Sequence, residues 1–164
     1  MATIVVPFRP NGKTRLSGND SLARAMLADV LAACEPVART IVADAEGGQG
    51  LAVEEALAGL EGPVAIVNAD LPCATTEDVE ALLNATPADG LALVEAPDGT
   101  TNALALARPD LFQPLYGPGS AERFRAAAPS RALTIPNLAD DVDTPEDLTR
   151  LGDRLGPHTR AALP

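Results

Sequence analysis

Tryptophan is absent from this 164-residue chain, tyrosine occurs once and phenylalanine three times. With aromatics at 2% and apolar residues at 46%, the core must be assembled from Ala, Val, Leu and Ile. That composition suits helices layered on a sheet better than an aromatic-filled β-sandwich. Cysteine is scarce too. Cys34 and Cys73 are too far apart for a CxxC pair and have no histidine cluster beside them, so zinc and dithiol chemistry are not signalled and two reduced, partly buried thiols are expected. The one histidine, His158, falls in the Pro/Gly-flanked tail LGPHTRAALP, where a frayed end is the ordinary expectation. A histidine-based triad therefore has little support. No apolar run approaches the roughly 18 residues of a membrane span, and the opening MATIVVPF carries neither a basic leader nor a long hydrophobic region.

Positive charge is the other shortage. Against 23 acidic residues stand 12 basic ones, for a net charge of -11. Such a surface repels nucleic acid and anionic membranes and favours a soluble chain, so neither partner is expected and the cytoplasm is the expected compartment. The length is that of one compact domain, residues 1–164.

Short β-branched or apolar runs alternate with Ala/Leu-rich segments of helical period, the pattern of βαβ units around a mainly parallel sheet. Strands are predicted near Thr3 to Phe8, Arg39 to Ala43, Val64 to Asn68, Gly90 to Glu95 and Ala103 to Ala107, with a short one near Ala132 to Ile135. A first helix begins near Asp20, with Leu22, Met26, Leu27, Val30 and Leu31 on one stripe, and Pro36 closes it. A second runs near Leu51 to Leu60 after the glycine-rich EGGQG. A third is capped by Thr75 or Thr76, and DTPEDLTRL repeats that design with Thr144 as N-cap and Pro145 at the first helical position.

The suggestive residues fall just after predicted strands, where ligands collect in open α/β sheets. VVPFRPNGKTRL ends like a P-loop, but Pro7 stands where the first glycine belongs; it fixes φ and lacks the N–H that would wrap a phosphate, which disfavours a P-loop kinase. What remains is a loop holding Arg9, Lys13 and Arg15, and Lys13 is the only lysine. Gly12 supplies flexible backbone, Lys13 a point charge and Arg15 a forked donor for a triphosphate; a solvated basic loop is the plainer alternative. In VAIVNADLP, Asn68 and Asp70 follow a buried strand, and a carboxylate beside a phosphate loop suits Mg²⁺, while a simple turn cap is the other use for Asp70. ADDVDTPEDL places Asp140, Asp141 and Asp143 before a helix, more acids than a cap needs, so one of them can share the metal. DGTTNALAL and YGPGSAERF are small-residue loops with donors suited to an anion, and each alone is also a plain turn.

Together these stretches resemble the 2-phospho-L-lactate and phosphoenolpyruvate guanylyltransferases of deazaflavin coenzyme F-420 biosynthesis. VPFRPNGKTRLS is similar to that family's opening P-x-K-x-x-x-x-K-[ST]-R-L segment, NADLP to its metal-site turn, GTTNAL and YGPGS to its acceptor loops, and DVDTPEDL to its closing motif. The resemblance implies a three-layer α/β/α fold of the GT-A-like, nucleotide-diphospho-sugar transferase type. It implies an Mg²⁺-dependent reaction of GTP with phosphoenolpyruvate or 2-phospho-L-lactate. Lys13, Arg15 and Asp70 would be catalytic, and Pro7, Gly12, Lys13, Gly48, Gly50 and Asn68 would hold the nucleotide. Thr101, Asn102, Gly117 and Ser120 would hold the acceptor, Asp70 and Asp143 the metal, and a homodimer is compatible with the pattern. The chain departs from the family in three places. Arg9 stands near its first lysine, Ala52 stands where G-G-x-G-L-N-x-A-L has asparagine, and the stretch between the second strand and that segment is short, as if a βα element had been trimmed. Two readings compete: a molybdenum-cofactor or sugar-1-phosphate nucleotidyltransferase, which would open with G-G-x-x-x-R-[ML]-G, and a non-catalytic nucleotide-binding protein.

Overall fold

A computed structural model describes residues 1–10 and 20–164. Its centre is a six-stranded mixed sheet made of β1 (Thr3–Phe8), β2 (Arg39–Asp44), β3 (Val64–Val67), β4 (Leu91–Glu95), β5 (Thr101–Leu106) and β6 (Ser130–Ala132), in the order β2-β1-β3-β5-β4-β6. β1 runs parallel to both β2 and β3, and β4 runs parallel to β6. β5 is antiparallel to both of its neighbours. The β4–β5 connection is a short hairpin, with Gly99 in the left-handed region at φ 83°, and two strands joined so tightly can only pair antiparallel.

Alternation along the strands sorts the core onto two faces. On one, Ile4, Val6, Ala65, Val67, Ala92, Val94, Ala103 and Ala105 pack against α1 (Asp20–Cys34), α3 (Thr76–Asn84) and α5 (Pro136–Ala139). On the other, Val5, Val64, Ile66, Leu91, Leu93, Leu104 and Leu106 meet α2 (Gln49–Leu57) and α4 (Ser120–Ala127). The result is the three-layer α/β/α arrangement. The alanine-lined face lets the helices sit close; the leucine-lined face leaves room for bulk, and three of the four aromatics, Phe112, Tyr116 and Phe124, gather there with ring centroids 5.3 to 6.3 Å apart. α1 and α6 (Pro145–Leu151) share a third apolar cluster through Met26, Leu148 and Leu151.

The predicted capping residues are in place. Thr75 caps α3 and Thr144 caps α6, each in a reciprocal capping box with an aspartate three residues on, Asp78 and Asp147. The last strand lies earlier than expected, at Ser130–Ala132, because Ile135 caps α5 and Pro136 opens it, so the chain has already turned from the sheet. Cys34 and Cys73 are both free and buried, and burial pushes the Cys34 thiol up to about 12, with Glu35 adding to the shift.

The expected frayed tail is instead an ordered helix, α7 (Pro157–Ala162). Asp29 of α1 is only 4% exposed, and its carboxylate accepts hydrogen bonds from the N–H of His158 (3.0 Å), the N–H of Thr159 (2.8 Å) and Thr159 Oγ1 (2.6 Å). A buried carboxylate thus caps α7 from another helix, which a sequence-local reading of LGPHTRAALP does not show. Gly156 touches the same carboxylate so closely that a Cβ would overlap it. Asp29→Ala is expected to lower unfolding free energy by about 3 kcal/mol, since three donors lose a charged acceptor, and Gly156→Ala should destabilise in the same direction. Urea melts of both variants check this; an unchanged midpoint for Asp29→Ala would mean that the clasp contributes nothing.

Candidate nucleotide and metal site

The carboxyl ends of β1 and β3 and the turn before α2 surround a cleft of about 280 Å³ lined by Pro7, Phe8, Arg9, Gly48, Gln49, Asn68 and Asp70, with Ala23 and Met26 of α1 as an apolar wall. Its position follows from topology. β1 sits at the point where the chain winds to β2 on one side and β3 on the other, and the strand-end loops diverge there. Gly48 at the start of α2 has φ 110°, a conformation that favours glycine. Arg24 lies over the Phe8 ring at 5.7 Å.

At one side of the cleft Asp70, Asp141 and Asp143 come together, each half-buried, with one oxygen of each within 4.8 Å of the others. Three carboxylates at that spacing repel one another unless a cation or donors compensate, and three hard oxygen ligands are what a divalent metal such as Mg²⁺ accepts. The backbone holds them in register: Val142 N–H donates to the Asp70 carbonyl at 3.0 Å, and the Val142 side chain is fully buried between its two acidic neighbours. Asn102 donates from Nδ2 to the Ala139 carbonyl (2.9 Å) and to Asp141 Oδ1 (3.3 Å), orienting that carboxylate. Asp140 is not in the group; it pairs with Arg154 (2.8 Å) and Arg150 (3.4 Å) on the outer side.

Asp147 supports the triad from behind. Its Oδ2 accepts from the N–H of Asp143 (2.9 Å) and of Thr144 (3.0 Å), and Arg150 reaches its other oxygen at 3.3 Å. Partial desolvation pulls its pKa upward, but the two backbone N–H donors, Arg150 and Thr144 outweigh this, and the carboxyl lies below its ordinary value.

The proposed acceptor residues share one neighbourhood across the sheet but are bonded to the protein itself. Thr101 Oγ1 and Ser120 Oγ lie 3.0 Å apart and both residues are buried, at 3% and 0% exposure. Asn102, also 3% exposed, spends its amide on Ala139 and Asp141. Gly117 (φ 116°) and Gly119 (φ 74°) shape the loop before α4, and Arg123 laces it, donating to the Pro118 (2.6 Å) and Leu115 (2.7 Å) carbonyls. Gly50 faces that loop, where a Cβ would come within 2.9 Å of Pro114, so its missing side chain brings α2 and the loop together. Ala52 points into the core at 4% exposure. Gly12, Lys13 and Arg15 lie outside the described residues.

Sequence patterns do not flag Gln49, Asn102 as an orienting group for Asp141, or Arg123. Gln49 lies between the two glycines singled out, and Arg123 follows the second glycine loop at one helical turn, a spacing that signals a loop-lacing side chain only once the loop is seen.

No protein-family profile matches the chain. It is 33% identical over 201 residues to the phosphoenolpyruvate guanylyltransferase of Geodermatophilus obscurus, a match covering 98% of this chain and 93% of the relative. The chain belongs to the phosphoenolpyruvate and 2-phospho-L-lactate guanylyltransferase family. A second member, the 2-phospho-L-lactate guanylyltransferase of Natrialba magadii, is 31% identical over 193 residues, covering 90% of this chain and 82% of the relative. The phosphoenolpyruvate guanylyltransferase of Sphaerobacter thermophilus is 42% identical over 110 residues; in that match the chain spans 63% of itself and 53%, about half, of the relative's length. The alignment to the Geodermatophilus member is longer than the 164-residue chain itself, so that guanylyltransferase carries stretches this one lacks. This agrees with the tight link between β2 and α2, where only residues 45–48 intervene. Solved structures share the nucleotidyltransferase fold. A Desulfovibrio desulfuricans G20 protein assigned as a nucleotide-diphospho-sugar transferase matches with TM-score 0.74 at 21% identity over 97% of this chain and 92% of its own. The 2-C-methyl-D-erythritol 4-phosphate cytidylyltransferase of Thermus thermophilus matches with TM-score 0.60 at 16% identity over 90% and 95%. Among the described residues no helix is long and apolar enough to cross a membrane.

The Asp147 geometry sets a pH dependence. A carboxyl whose folded pKa is lowered contributes stability that is complete above its unfolded value of about 4 and is lost as pH falls below it. Melting temperature is therefore expected to fall more steeply from pH 5 to pH 3 in the wild type than in Asp147→Asn. Parallel curves for the two proteins would remove this residue as a source of acid sensitivity.

Proposed function

We propose that the whole 164-residue chain acts as one cytoplasmic nucleotidyltransferase domain that transfers GMP from GTP to phosphoenolpyruvate or 2-phospho-L-lactate. A phosphate oxygen of the acid bonds to the α-phosphorus of GTP, the bond from that phosphorus to the bridging oxygen of the β-phosphate breaks, and pyrophosphate leaves with the electron pair. The observation that carries this reading is the carboxylate triad of Asp70, Asp141 and Asp143 at the side of a nucleotide-sized cleft, in a chain of this family.

The oxygen donors of the triad fit Mg²⁺, with waters and phosphate oxygens completing its shell. When bound, that ion would neutralise charge on the reacting phosphates. The chain's own groups would do the rest. Arg9 at the cleft, with Lys13 and Arg15 further along the sequence, would hold the triphosphate; Gly48 would give the backbone close approach; Val142 and Asp147 fix where the carboxylates stand. A phosphate acceptor is already ionised at neutral pH, so no strong general base is required, and positioning with charge stabilisation supplies most of the rate. This accounts for a cleft without histidine: His158, the only one, sits on α7, where its backbone N–H is held by Asp29. The loop at 117–120 and the 101–102 pair would bind the acceptor's phosphate and carboxylate, the buried hydroxyls of Thr101 and Ser120 holding the loop that offers backbone donors.

The molybdenum-cofactor or sugar-1-phosphate reading lacks its opening motif, and family membership disfavours it. The test is pyrophosphate release with GTP and Mg²⁺, comparing phosphoenolpyruvate, 2-phospho-L-lactate, 3-phosphoglycerate and no acceptor, with ATP as nucleotide control. Release is expected only with GTP and one of the first two acids. Asp70→Asn is expected to lower kcat/KM at least about 100-fold with the fold intact, and Lys13→Ala to weaken GTP binding. Acid-independent release, or wild-type rates in Asp70→Asn, would overturn the assignment.

A further inference from the structure

Two side chains of the cleft, Asn68 and Gln49, form with the Thr101 carbonyl a chain whose direction can be deduced. Asn68 Nδ2 lies 3.2 Å from the backbone carbonyl of Thr101. A carbonyl only accepts, so the amide of Asn68 must present its nitrogen there and its oxygen on the other side. That oxygen, Oδ1, lies 2.7 Å from Gln49 Nε2, and it too only accepts, so Gln49 must present its nitrogen to Asn68. The orientation of a side-chain amide, ordinarily interchangeable by a half-turn, is thus dictated through two residues by a backbone atom of β5. Gln49 lines the cleft, and among the described residues its Oε1 is bonded by none.

We propose that Gln49 is the base-reading residue of the cleft, its Oε1 accepting from the N1–H and N2–H donors of guanine. The inference rests on the nucleotidyltransferase reading. Gln49 lines the same cleft as Asp70, together with the apolar surfaces of Phe8, Ala45 and Met26, and the base would stand against these while the phosphates meet Asp70. Where guanine carries N1–H and an amino group on C2, adenine carries a bare N1 lone pair and C2–H. A carbonyl oxygen that cannot be exchanged for an N–H meets a match in the first and repulsion in the second. An unanchored glutamine would turn to suit either base; the bond to Asn68 removes that freedom.

The test measures equilibrium binding of GTP, ITP and ATP with Mg²⁺, by titration calorimetry without acceptor, in the wild type and in Gln49→Met. Methionine keeps the volume and removes both polar atoms, and equal melting temperatures establish that the variant folds. The wild type is expected to bind GTP most tightly, ITP (which lacks the 2-amino group) less tightly and ATP least. Gln49→Met is expected to lose about 100-fold in GTP affinity, with ATP affinity unchanged, so that the three nucleotides converge. If the wild type prefers GTP and Gln49→Met keeps that preference, the inference fails and the functional reading stands. If the wild type does not distinguish GTP from ATP, or binds neither, both fail.

Discussion

Three negative carboxylates held within 4.8 Å of one another are the constraint around which this guanylyltransferase-family chain is arranged. Like charges at that spacing repel, so Asp70, Asp141 and Asp143 need a scaffold that holds them together. They stay because each rides on backbone that is fixed elsewhere. Asp70 follows β3 and shares a backbone bond with Val142, Val142 is sunk in the core, Asp143 has its N–H held by Asp147, and Asp141 is oriented by Asn102 on β5. A scaffold of hydrogen bonds thus holds the three carboxylates where their oxygens could hold one metal ion.

β5 has a role in this that its sequence does not announce. Its first two residues, Thr101 and Asn102, connect to the β3 loop through the Asn68 amide and backbone, to α4 through Ser120 and to the 139–141 segment through the Asn102 side chain. A strand antiparallel to both neighbours places its amino end beside the carboxyl ends of β3 and β4, so the start of β5 reaches the loops where ligands collect. One antiparallel strand thus brings the two sides of the site into contact.

Much of this was legible in the sequence, and the boundary is physical. Periodicity gave most strands because β1, β3 and β4 are buried on both faces and read as apolar runs, whereas β5 was read only from Ala103, its buried first residues Thr101 and Asn102 being polar. Thr75 and Thr144 were readable as caps because a capping box is local, spanning four residues. Asp70 and Asp143 drew notice as acids in turns, one after β3 and one before α6, but only the fold brings them together with Asp141. What sequence could not reveal were pairings across long separations: Asp29 with Thr159, Gln49 with Asn68, Asn102 with Asp141. Each is a polar residue whose type suggests many partners and whose actual partner is selected only by the fold. Ala52 belongs with these; its burial shows that a position read for its missing polar contact serves as core.

The clasp between Asp29 and α7 also bears on how the chain is made. Its two ends are about 130 residues apart in sequence, so the clasp can close only after residues 158 and 159 have left the ribosome. Met26 and Ala23, on the same helix as Asp29, form a wall of the cleft. The helix that walls the cleft is accordingly locked at Asp29 by the segment of the chain that emerges last.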